Sequence, residues 1–372
     1  MRYRKEQDFF SCFNEKTGAY IRIGKGGKEP FMSSFPELLD VGIMGHCKHG
    51  KLGLCLKAGV ECYQNGLNAT TPNMTLEDFA NIARQCSGKT YQFALGGCGD
   101  PDQHENFKEI LQICRDYKIV PNYTTSGLGV TEDVADLTKE YCGAVAVSWY
   151  RSEYTLKALQ IFIKAGVKTN IHFVLSKKSI DEALRLLNVD GNSSDNSDGE
   201  SNCGFPAGIN AVVFLLHKPV GLGRRENVLT TADMREFINT VTSKNFKNYN
   251  HFKIGFDSCT VPALVNNLGI IDPDSIDTCE GGRWSAYITP DMKMLPCSFD
   301  NQGRRWEVDL RSNTIQEAWN SPVFNDFRER MRSACPECEK RDLCMGGCPI
   351  CPEIVLCERA ERLKLIQKNG YR

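Results

Sequence analysis

The chain has 372 residues and a net charge of −1, from 45 lysine and arginine residues against 46 aspartate and glutamate residues. This length suits two domains, or one barrel with an appended domain, and the balanced charge creates no global field that would attract nucleic acid or an anionic membrane. No apolar run approaches the ~20 residues of a membrane span, and the first residues lack the apolar core of a signal peptide. We therefore expect a cytoplasmic protein that binds neither nucleic acid nor membranes.

Eighteen cysteines are the unusual feature of the composition. In a reducing compartment, thiols serve as metal ligands or catalytic groups more often than as disulfides. Cys86, Cys114 and Cys142 fall in helical patterns, and we interpret them as buried core thiols. Most of the others concentrate in two fields, 47–62 and 335–357, which core packing does not explain.

The first elements in chain order are a small hairpin and a buried strand. Residues 1–34 predict a hairpin that turns at Lys16–Gly18. The apolar run Leu38–Met44 predicts a strand, and a Gly-rich loop follows it. Helices and strands then alternate. The further strands are predicted at Tyr91–Leu95, Ile119–Thr124, Ala144–Ser148, Lys168–Leu175 and Asn210–Leu216. The helices are predicted at Thr75–Cys86, Glu105–Tyr117, Glu132–Tyr141, Glu153–Ala165 and Ile180–Leu187.

This alternation implies parallel strands with helices outside. Six such units are too few for the closed eight-fold barrel, so a partial barrel or a doubly wound sheet remains. In either fold, functional groups are expected on the loops at the C-terminal strand ends. The acidic, low-complexity segment 190–202 interrupts the pattern and is predicted to be a solvated surface insertion.

The loop after the first strand carries Cys47, Cys55 and Cys62. Three thiolates on one loop fit a single metal centre, although His46 and His49 would also allow a mixed Cys/His zinc site. The frame P-E-L-L-D-V-x-I-x-x-x-C, with C-Y-Q at its end, resembles the cluster loop of radical S-adenosylmethionine (radical SAM) enzymes. The resemblance implies that the three cysteines hold a [4Fe–4S] cluster whose open iron binds SAM. It also favours the partial six-unit barrel. The family usually spaces these ligands Cys-x3-Cys-x2-Cys, whereas the gaps here are seven and six residues.

Several loops at the strand ends resemble SAM-binding segments of the same family. Gly96-Gly97-Cys98-Gly99-Asp100 resembles the family's Gly-Gly-Glu-Pro segment, which bonds the SAM amino group. Serine and threonine on the next strands contact the ribose in the family, although helix capping would explain them equally well. A Pro/Gly-rich turn after the sixth strand resembles the turn beside the adenine. The SAM contacts implied in this way are Gly96, Gly97, Asp100, Thr125, Ser126, Ser148, Pro219 and Gly221. We interpret His172 and His217 as core or rim histidines.

The second cysteine field contains Cys335-x2-Cys338-x5-Cys344-x3-Cys348. Its G-G-C-P ending and the preceding I-x-E-A-W-N-S segment resemble the SPASM extension of radical SAM enzymes. The resemblance implies two auxiliary [4Fe–4S] clusters. The first is assigned to Cys279, Cys297 and Cys348, with Cys259 as the candidate fourth ligand; the second is assigned to Cys335, Cys338 and Cys344, completed by Cys357 or Cys351. A zinc-ribbon tail is the alternative.

Two further features of this region are predicted. Residues 288–299 predict a hairpin turning at Asp291–Lys293, where Met292 occupies a position at which the family commonly has glycine. The basic tail 359–372 is interpreted as a solvated helical face.

The sequence therefore predicts an α/β chain with an N-terminal segment (1–34), a radical SAM partial (β/α)6 barrel (35–257) and a SPASM-like iron–sulfur domain (258–372). By the resemblance it cleaves SAM reductively, using three [4Fe–4S] clusters and an electron donor such as flavodoxin or ferredoxin. The resulting 5′-deoxyadenosyl radical would abstract hydrogen from a peptide or protein side chain, for crosslinking or oxidation. The alternatives are dehydrogenation or rearrangement of a small molecule, and a zinc-binding protein without catalysis.

Overall fold

The structure is a computed structural model that describes residues 1–27, 30–187, 204–243, 252–268, 276–333, 335, 337–345 and 347–358. Two compact units can be distinguished. The first comprises Met1–Thr169 and Glu280–Glu329, and the second comprises the described residues of Asn170–Cys279 and Arg330–Arg372. The predicted acidic insertion 190–202 and the basic tail 359–372 lie outside the described residues.

The N-terminal segment forms a three-stranded antiparallel sheet of β1 (Arg2–Lys5), β2 (Phe9–Phe13) and β3 (Tyr20–Gly24), in that order. The predicted hairpin is the β2–β3 pair, whose turn is closed by a hydrogen bond from the Gly18 amide to the Asn14 carbonyl oxygen, 2.8 Å. Alternate residues of β2 are buried, as expected of a strand with one face on a core. The strand β1, which is rich in basic residues, was not predicted.

The first unit continues with four β/α repeats. The elements are β4 (Leu38–Met44), α1 (Lys48–Lys51), α2 (Leu54–Lys57), α3 (Leu76–Cys86), β5 (Gln92–Gly97), α4 (Phe107–Asp116), β6 (Val120–Thr125), α5 (Glu132–Tyr141), β7 (Val145–Ser148) and α6 (Glu153–Lys164). The strands pair in parallel in the order β4-β5-β6-β7. The predicted strands and main helices of this region are confirmed, with ends that differ by a few residues.

The side chains of β4 alternate between the two faces of the sheet, one packed against helices and the other free to carry polar groups. Leu39, Val41 and Ile43 are fully buried on one face, where the sheet packs against helices, as the Phe79–Phe93 ring contact between α3 and β5 shows. Successive side chains of a strand point to opposite faces, so the intervening residues, Asp40 among them, lie on the other face.

The second unit contains three further β/α repeats. Its elements are β8 (Thr169–Leu175), α7 (Ile180–Leu187), β9 (Ala211–Leu216), α8 (Thr231–Val241), β10 (Lys253–Phe256) and α9 (Val261–Asn267). The strand β9 pairs in parallel with both β8 and β10. The ring of Phe214 on β9 contacts those of Phe173 on β8 and Phe256 on β10. The short strand β10 and the helix α8 were not predicted.

The chain then returns to the first unit. β11 (Ser285–Ile288) pairs in parallel with β4, and β12 (Lys293–Leu295) and β13 (Val308–Asp309) extend this edge in antiparallel fashion. The predicted hairpin is the β11–β12 pair. Met292 takes the left-handed conformation (φ 64°) that favours glycine, and its side chain is buried, so apolar burial offsets the cost of this backbone conformation.

The last elements are α10 (Ile315–Trp319), α11 (Pro322–Ser333) and the single turn α12 (Arg341–Cys344). The helix α10 begins with a capping box, in which Thr314 and Glu317 bond each other's backbone amides. Among the described residues, no helix has the length and apolar character to cross a membrane.

Candidate functional site

The loop after β4 contains two single-turn helices that account for its widened cysteine spacing. Cys47 is the N-cap of α1, and its Sγ accepts a hydrogen bond from the Gly50 amide at 3.1 Å. Cys55 lies in α2 and is buried. The left-handed residue Gly53 (φ 66°) joins the two turns. The long gap between Cys47 and Cys55 is therefore occupied by ordered structure.

The loop packs tightly against the segment after Cys62. A Cβ on Gly50 would lie 2.5 Å from the carbonyl oxygen of Gly66, and a Cβ on Gly45 would lie 2.1 Å from that of Pro72. Such distances are too short for any side chain, so glycine is required at both positions.

Four thiols are grouped in this region. The pKa of Cys47 is raised to about 11, chiefly by burial, and negative charge on Asp100, Cys62 and Cys55 would raise it further. The pKa of Cys98 is raised to about 12, again chiefly by burial, with contributions from Cys62 and Cys47. These influences require the thiols to be near one another, since charge interactions decay with distance.

The donor set fits an iron–sulfur cluster, because thiolates are the ligands that such clusters take and three of the grouped thiols belong to one loop. Across the part of the chain that the structure describes, no three Cys, His, Asp or Glu side chains are arranged closely enough to hold a metal ion. A bound metal deprotonates its thiol ligands, so the raised pKa values belong to the protein without metal. The assignment of Cys47, Cys55 and Cys62 as ligands stays a prediction.

The Gly-Gly end of β5 lies directly beside this loop. Gly97 has φ 111°, and a Cβ there would lie 2.3 Å from the Met44 carbonyl oxygen. The Cys98 amide donates to the same oxygen at 2.7 Å, and the Cys98 thiol donates to the Gln64 carbonyl oxygen at 2.9 Å. A side chain at Gly97 would therefore separate β5 from the end of β4.

Asp100 and Ser126, both predicted SAM contacts, are joined to each other. The Asp100 carboxylate accepts hydrogen bonds from the Ser126 amide at 2.7 Å and from its hydroxyl at 2.6 Å. Burial raises the pKa of Asp100, and these two hydrogen bonds oppose the rise. The Thr125 hydroxyl accepts from the Gly127 amide at 3.0 Å. In this structure, these hydroxyls therefore stabilise the turns at the strand ends.

Two features of this site were not predicted from the sequence. Asp102 lies in the short turn after Asp100, and burial raises its pKa. The ring of His49 lies against Tyr150, and its Nε2 lies 2.5 Å from the Tyr154 hydroxyl. Ser148 ends β7, just before these tyrosines. The aromatic residues at 149–150 were a visible signal, but their partner, His49, is about a hundred positions away.

The remaining predicted SAM contacts, Pro219 and Gly221, follow β9 in the second unit. The turn there is closed by a hydrogen bond from the Gly223 amide to the Val220 carbonyl oxygen, 2.9 Å. The His217 ring donates to the Arg224 carbonyl oxygen at 3.0 Å, as expected of a rim histidine.

Three of the cysteines assigned to the first auxiliary cluster group in the second unit. Burial raises the pKa of Cys259, and negative charge on Cys279 and Cys348 would add to the rise. Cys348 accepts a hydrogen bond from the Cys351 amide at 3.3 Å. Cys297 belongs to the first unit, where it follows β12. The ligand assignment stays a prediction.

The cysteines assigned to the second auxiliary cluster lie around α12. The Cys338 amide donates to the Cys335 carbonyl oxygen at 3.1 Å, and Cys344 ends the helical turn. Cys351 is buried and Cys357 is half-buried, and the choice between them as fourth ligand stays open.

Comparison with known proteins connects these features. Residues 279–344 match SPASM, an iron–sulfur cluster-binding domain. Streptococcus suis SuiB bound to S-adenosylmethionine has 15% identical residues and a TM-score of 0.63, covering 87% of this chain and 78% of SuiB. The chain resembles radical SAM enzymes with a SPASM domain.

Two further structures share the fold. SuiB bound to the precursor peptide SuiA has 15% identity and a TM-score of 0.59, covering 90% of this chain and 74% of SuiB. The protein anSMEcpe with bound AdoMet and Cp18Cys peptide has 14% identity and a TM-score of 0.56, covering 90% of this chain and all of anSMEcpe. The predicted fold class, an α/β partial barrel with a C-terminal cysteine-rich iron–sulfur domain, is confirmed.

Proposed function

We propose that the chain is a radical SAM enzyme that acts on a peptide or protein side chain. The observation that carries the proposal is the grouping of Cys47, Cys55 and Cys62 after one parallel strand, beside the Gly-Gly end of the next. The SPASM match and the fold shared with proteins that bind S-adenosylmethionine support it.

In this proposal, Cys47, Cys55 and Cys62 hold the cluster that binds SAM. When bound and reduced, this cofactor pair supplies a 5′-deoxyadenosyl radical, which removes a hydrogen atom from an unactivated C–H bond. The chain's own residues orient SAM and exclude water. Gly97 lets β5 lie close against the end of β4, and two hydrogen bonds from Ser126 fix the Asp100 carboxylate. The further SAM contacts are proposed as Gly96, Thr125, Ser126, Ser148, Pro219 and Gly221.

The C-terminal cysteines are proposed to hold two auxiliary clusters, which makes three [4Fe–4S] clusters in total. An electron donor such as flavodoxin or ferredoxin would reduce the first. The domain boundaries are proposed after residues 34 and 257. Auxiliary clusters in this position would accept an electron from the substrate radical or bind the substrate.

A peptide substrate is supported by what the similar structures contain. SuiB was crystallised with its precursor peptide SuiA, and anSMEcpe was solved with the Cp18Cys peptide. Oxidation or crosslinking of a side chain in such a peptide is the proposed outcome.

Deuterium transfer tests the substrate class. The anaerobically purified, reconstituted protein is mixed with SAM, a reductant and the deuterated product of a short reading frame near its own gene. We expect deuterium in 5′-deoxyadenosine by mass spectrometry, both for the original protein and for Cys12→Ala, a control thiol in β2. Unlabelled 5′-deoxyadenosine with an unchanged peptide would contradict the peptide assignment.

A further inference from the structure

A cavity of about 220 Å³ lies beside the cluster loop in the first unit. Its walls come from the end of β4, from the segment 64–71 and from the region after β11. The side chains that matter for its chemistry are Gln64, Cys98, Tyr287, Asp291, Asn301 and Arg304. The site predicted from the sequence did not include this cavity.

Three polar atoms on these walls are buried and make no hydrogen bond of normal geometry in the described part of the chain. They are Gln64 Nε2, the Tyr287 hydroxyl and Asn301 Oδ1. The Gln64 amide lies near enough to the Tyr287 hydroxyl to oppose the rise that burial gives the pKa of Tyr287. Gln64 and Tyr287 are only 4% and 2% exposed. A buried polar group left unsatisfied costs about 1–3 kcal/mol, so three such atoms at one cavity indicate a place that another molecule completes.

The two amides leave a matched pair of free groups. Gln64 Oε1 accepts a hydrogen bond from Asn301 Nδ2 at 2.7 Å. This bond uses the Gln64 side-chain oxygen as acceptor and the Asn301 NH₂ group as donor. The NH₂ group of Gln64 and the side-chain oxygen of Asn301 therefore remain available to a ligand. If the nitrogen and oxygen atoms of both amides exchange places, one donor and one acceptor are still left.

The cavity wall carries no net charge that would call for an ionic ligand. Asp291 and Arg304 neutralise each other through two hydrogen bonds of 2.8 and 3.1 Å. The Tyr287 hydroxyl is held against β4, since a Cβ on Gly42 would lie 2.6 Å from it. The free groups of the cavity are therefore a fixed hydroxyl, an amide donor and an amide acceptor.

We propose that this cavity binds a carboxamide group, whose oxygen accepts from Gln64 and Tyr287 and whose N–H donates to Asn301. A carboxamide is the neutral group that presents both an acceptor and a donor. It could come from a peptide bond or from an asparagine or glutamine side chain. Binding of a carboxamide does not depend on the proposed function. Only its assignment to a peptide substrate rests on that function.

Fragment binding to the full, cluster-loaded chain tests the proposal. N-methylacetamide represents a peptide bond, acetamide a side-chain amide, and acetate is the charged comparison; dissociation constants are measured by ligand-detected NMR. We expect an amide to bind in preference to acetate, and the tighter of the two amides identifies the source. Because one hydrogen bond contributes about 0.5–1.5 kcal/mol, Tyr287→Phe should raise the dissociation constant roughly 2- to 12-fold.

Tyr123→Phe is the matched control. Tyr123 is equally buried, but its hydroxyl lies 2.7 Å from the Thr138 hydroxyl. We expect Tyr123→Phe to lower the melting temperature and to leave amide binding unchanged, whereas Tyr287→Phe should not lower the melting temperature. If Tyr287→Phe fails to fold, Gln64→Leu replaces it, and we expect the same loss of amide binding.

Equal binding of amide by the original protein and by these variants, or equal binding of acetate and amide, would overturn the proposal. So would a cavity that binds none of the probes and contains only water. A different result would contradict the proposed function, namely the absence of 5′-deoxyadenosine formation. That result is independent of any binding at this cavity.

Discussion

The Cys98 thiol donates a hydrogen bond to the carbonyl oxygen of Gln64 at 2.9 Å. This bond joins the Gly-rich end of β5 to the segment that directly follows Cys62. The bond gives Cys98 a structural role beside the proposed cluster. This role distinguishes Cys98 from Cys47, Cys55 and Cys62, which are assigned as ligands.

Serine can make the same hydrogen bond as Cys98, so Cys98→Ser should retain the full iron content of about twelve atoms per chain that three [4Fe–4S] clusters require. Cys62→Ser should lose about four iron atoms and the matching sulfide. Iron and sulfide analysis of anaerobically reconstituted protein is the measurement. Loss of four iron atoms from Cys98→Ser would make Cys98 a ligand.

His49 distinguishes the iron–sulfur account from the zinc alternative. The histidine is buried, and its Nε2 lies 2.5 Å from the Tyr154 hydroxyl. Because this partner explains the histidine without a metal, we expect His49→Gln to keep its iron content. Metal analysis of both proteins is the measurement. Zinc in the original protein that is lost in His49→Gln would support the zinc site instead.

The raised pKa of the buried Asp40 carboxyl group predicts that the stability of the fold depends on pH. Asp40 is the direct partner of Tyr287 across the β4–β11 pair, and burial raises its pKa from 3.8 to about 7. A pKa that is higher in the folded chain means that the carboxylate is disfavoured by folding. The free energy of unfolding should therefore fall as pH rises from about 4 to about 7, by at most ~1.4 kcal/mol per pH unit.

Melting temperatures of the purified protein between pH 5 and pH 8 check this prediction. Asp40→Asn should remove this part of the fall and be more stable than the original protein at pH 8. Asp116→Asn, at an exposed position of α4, should keep it. The same pH profile for Asp40→Asn and the original protein would show that Asp40 does not titrate in this range.

Replacement of the buried Arg328 is predicted to destabilise the fold. Its buried guanidinium donates to the carbonyl oxygens of Gly282 and Trp319 at 2.6 and 2.7 Å, and it lies 4.5 Å from the Trp319 ring centre. Lysine cannot reproduce this planar set of donors. We expect Arg328→Lys to lower the free energy of unfolding by about 1–3 kcal/mol, measured by thermal unfolding. The control Lys108→Arg, at an exposed position of α4, should have little effect.

Strong periodicity made much of the fold predictable. The strand β4 is an apolar run, and α3 falls within the predicted helix Thr75–Cys86, with Thr75 as its N-cap accepting from the Asp78 amide. The strand β10 has only four residues and no apolar alternation to reveal it. The turns α1 and α2 are each one turn long, too short for a helical period to appear.

The candidate site was predictable only in part, for a similar reason. The cysteines and the Gly-Gly end of β5 are local patterns. The cavity depends on Gln64 and Asn301, which are far apart in the chain and become neighbours only because β11 pairs with β4. Single polar residues carry no periodic signal, so this pair could not be read from the sequence.

Formation of 5′-deoxyadenosine by the reduced, reconstituted chain in the presence of SAM is the most direct test of the central claim. We predict that the original protein forms it, that Cys62→Ala does not, and that Cys344→Ala retains part of the activity without product formation on the substrate. Unimpaired formation by Cys62→Ala would contradict the assignment of the cluster loop. Absence of 5′-deoxyadenosine from a fully reconstituted original protein would contradict the enzyme account altogether.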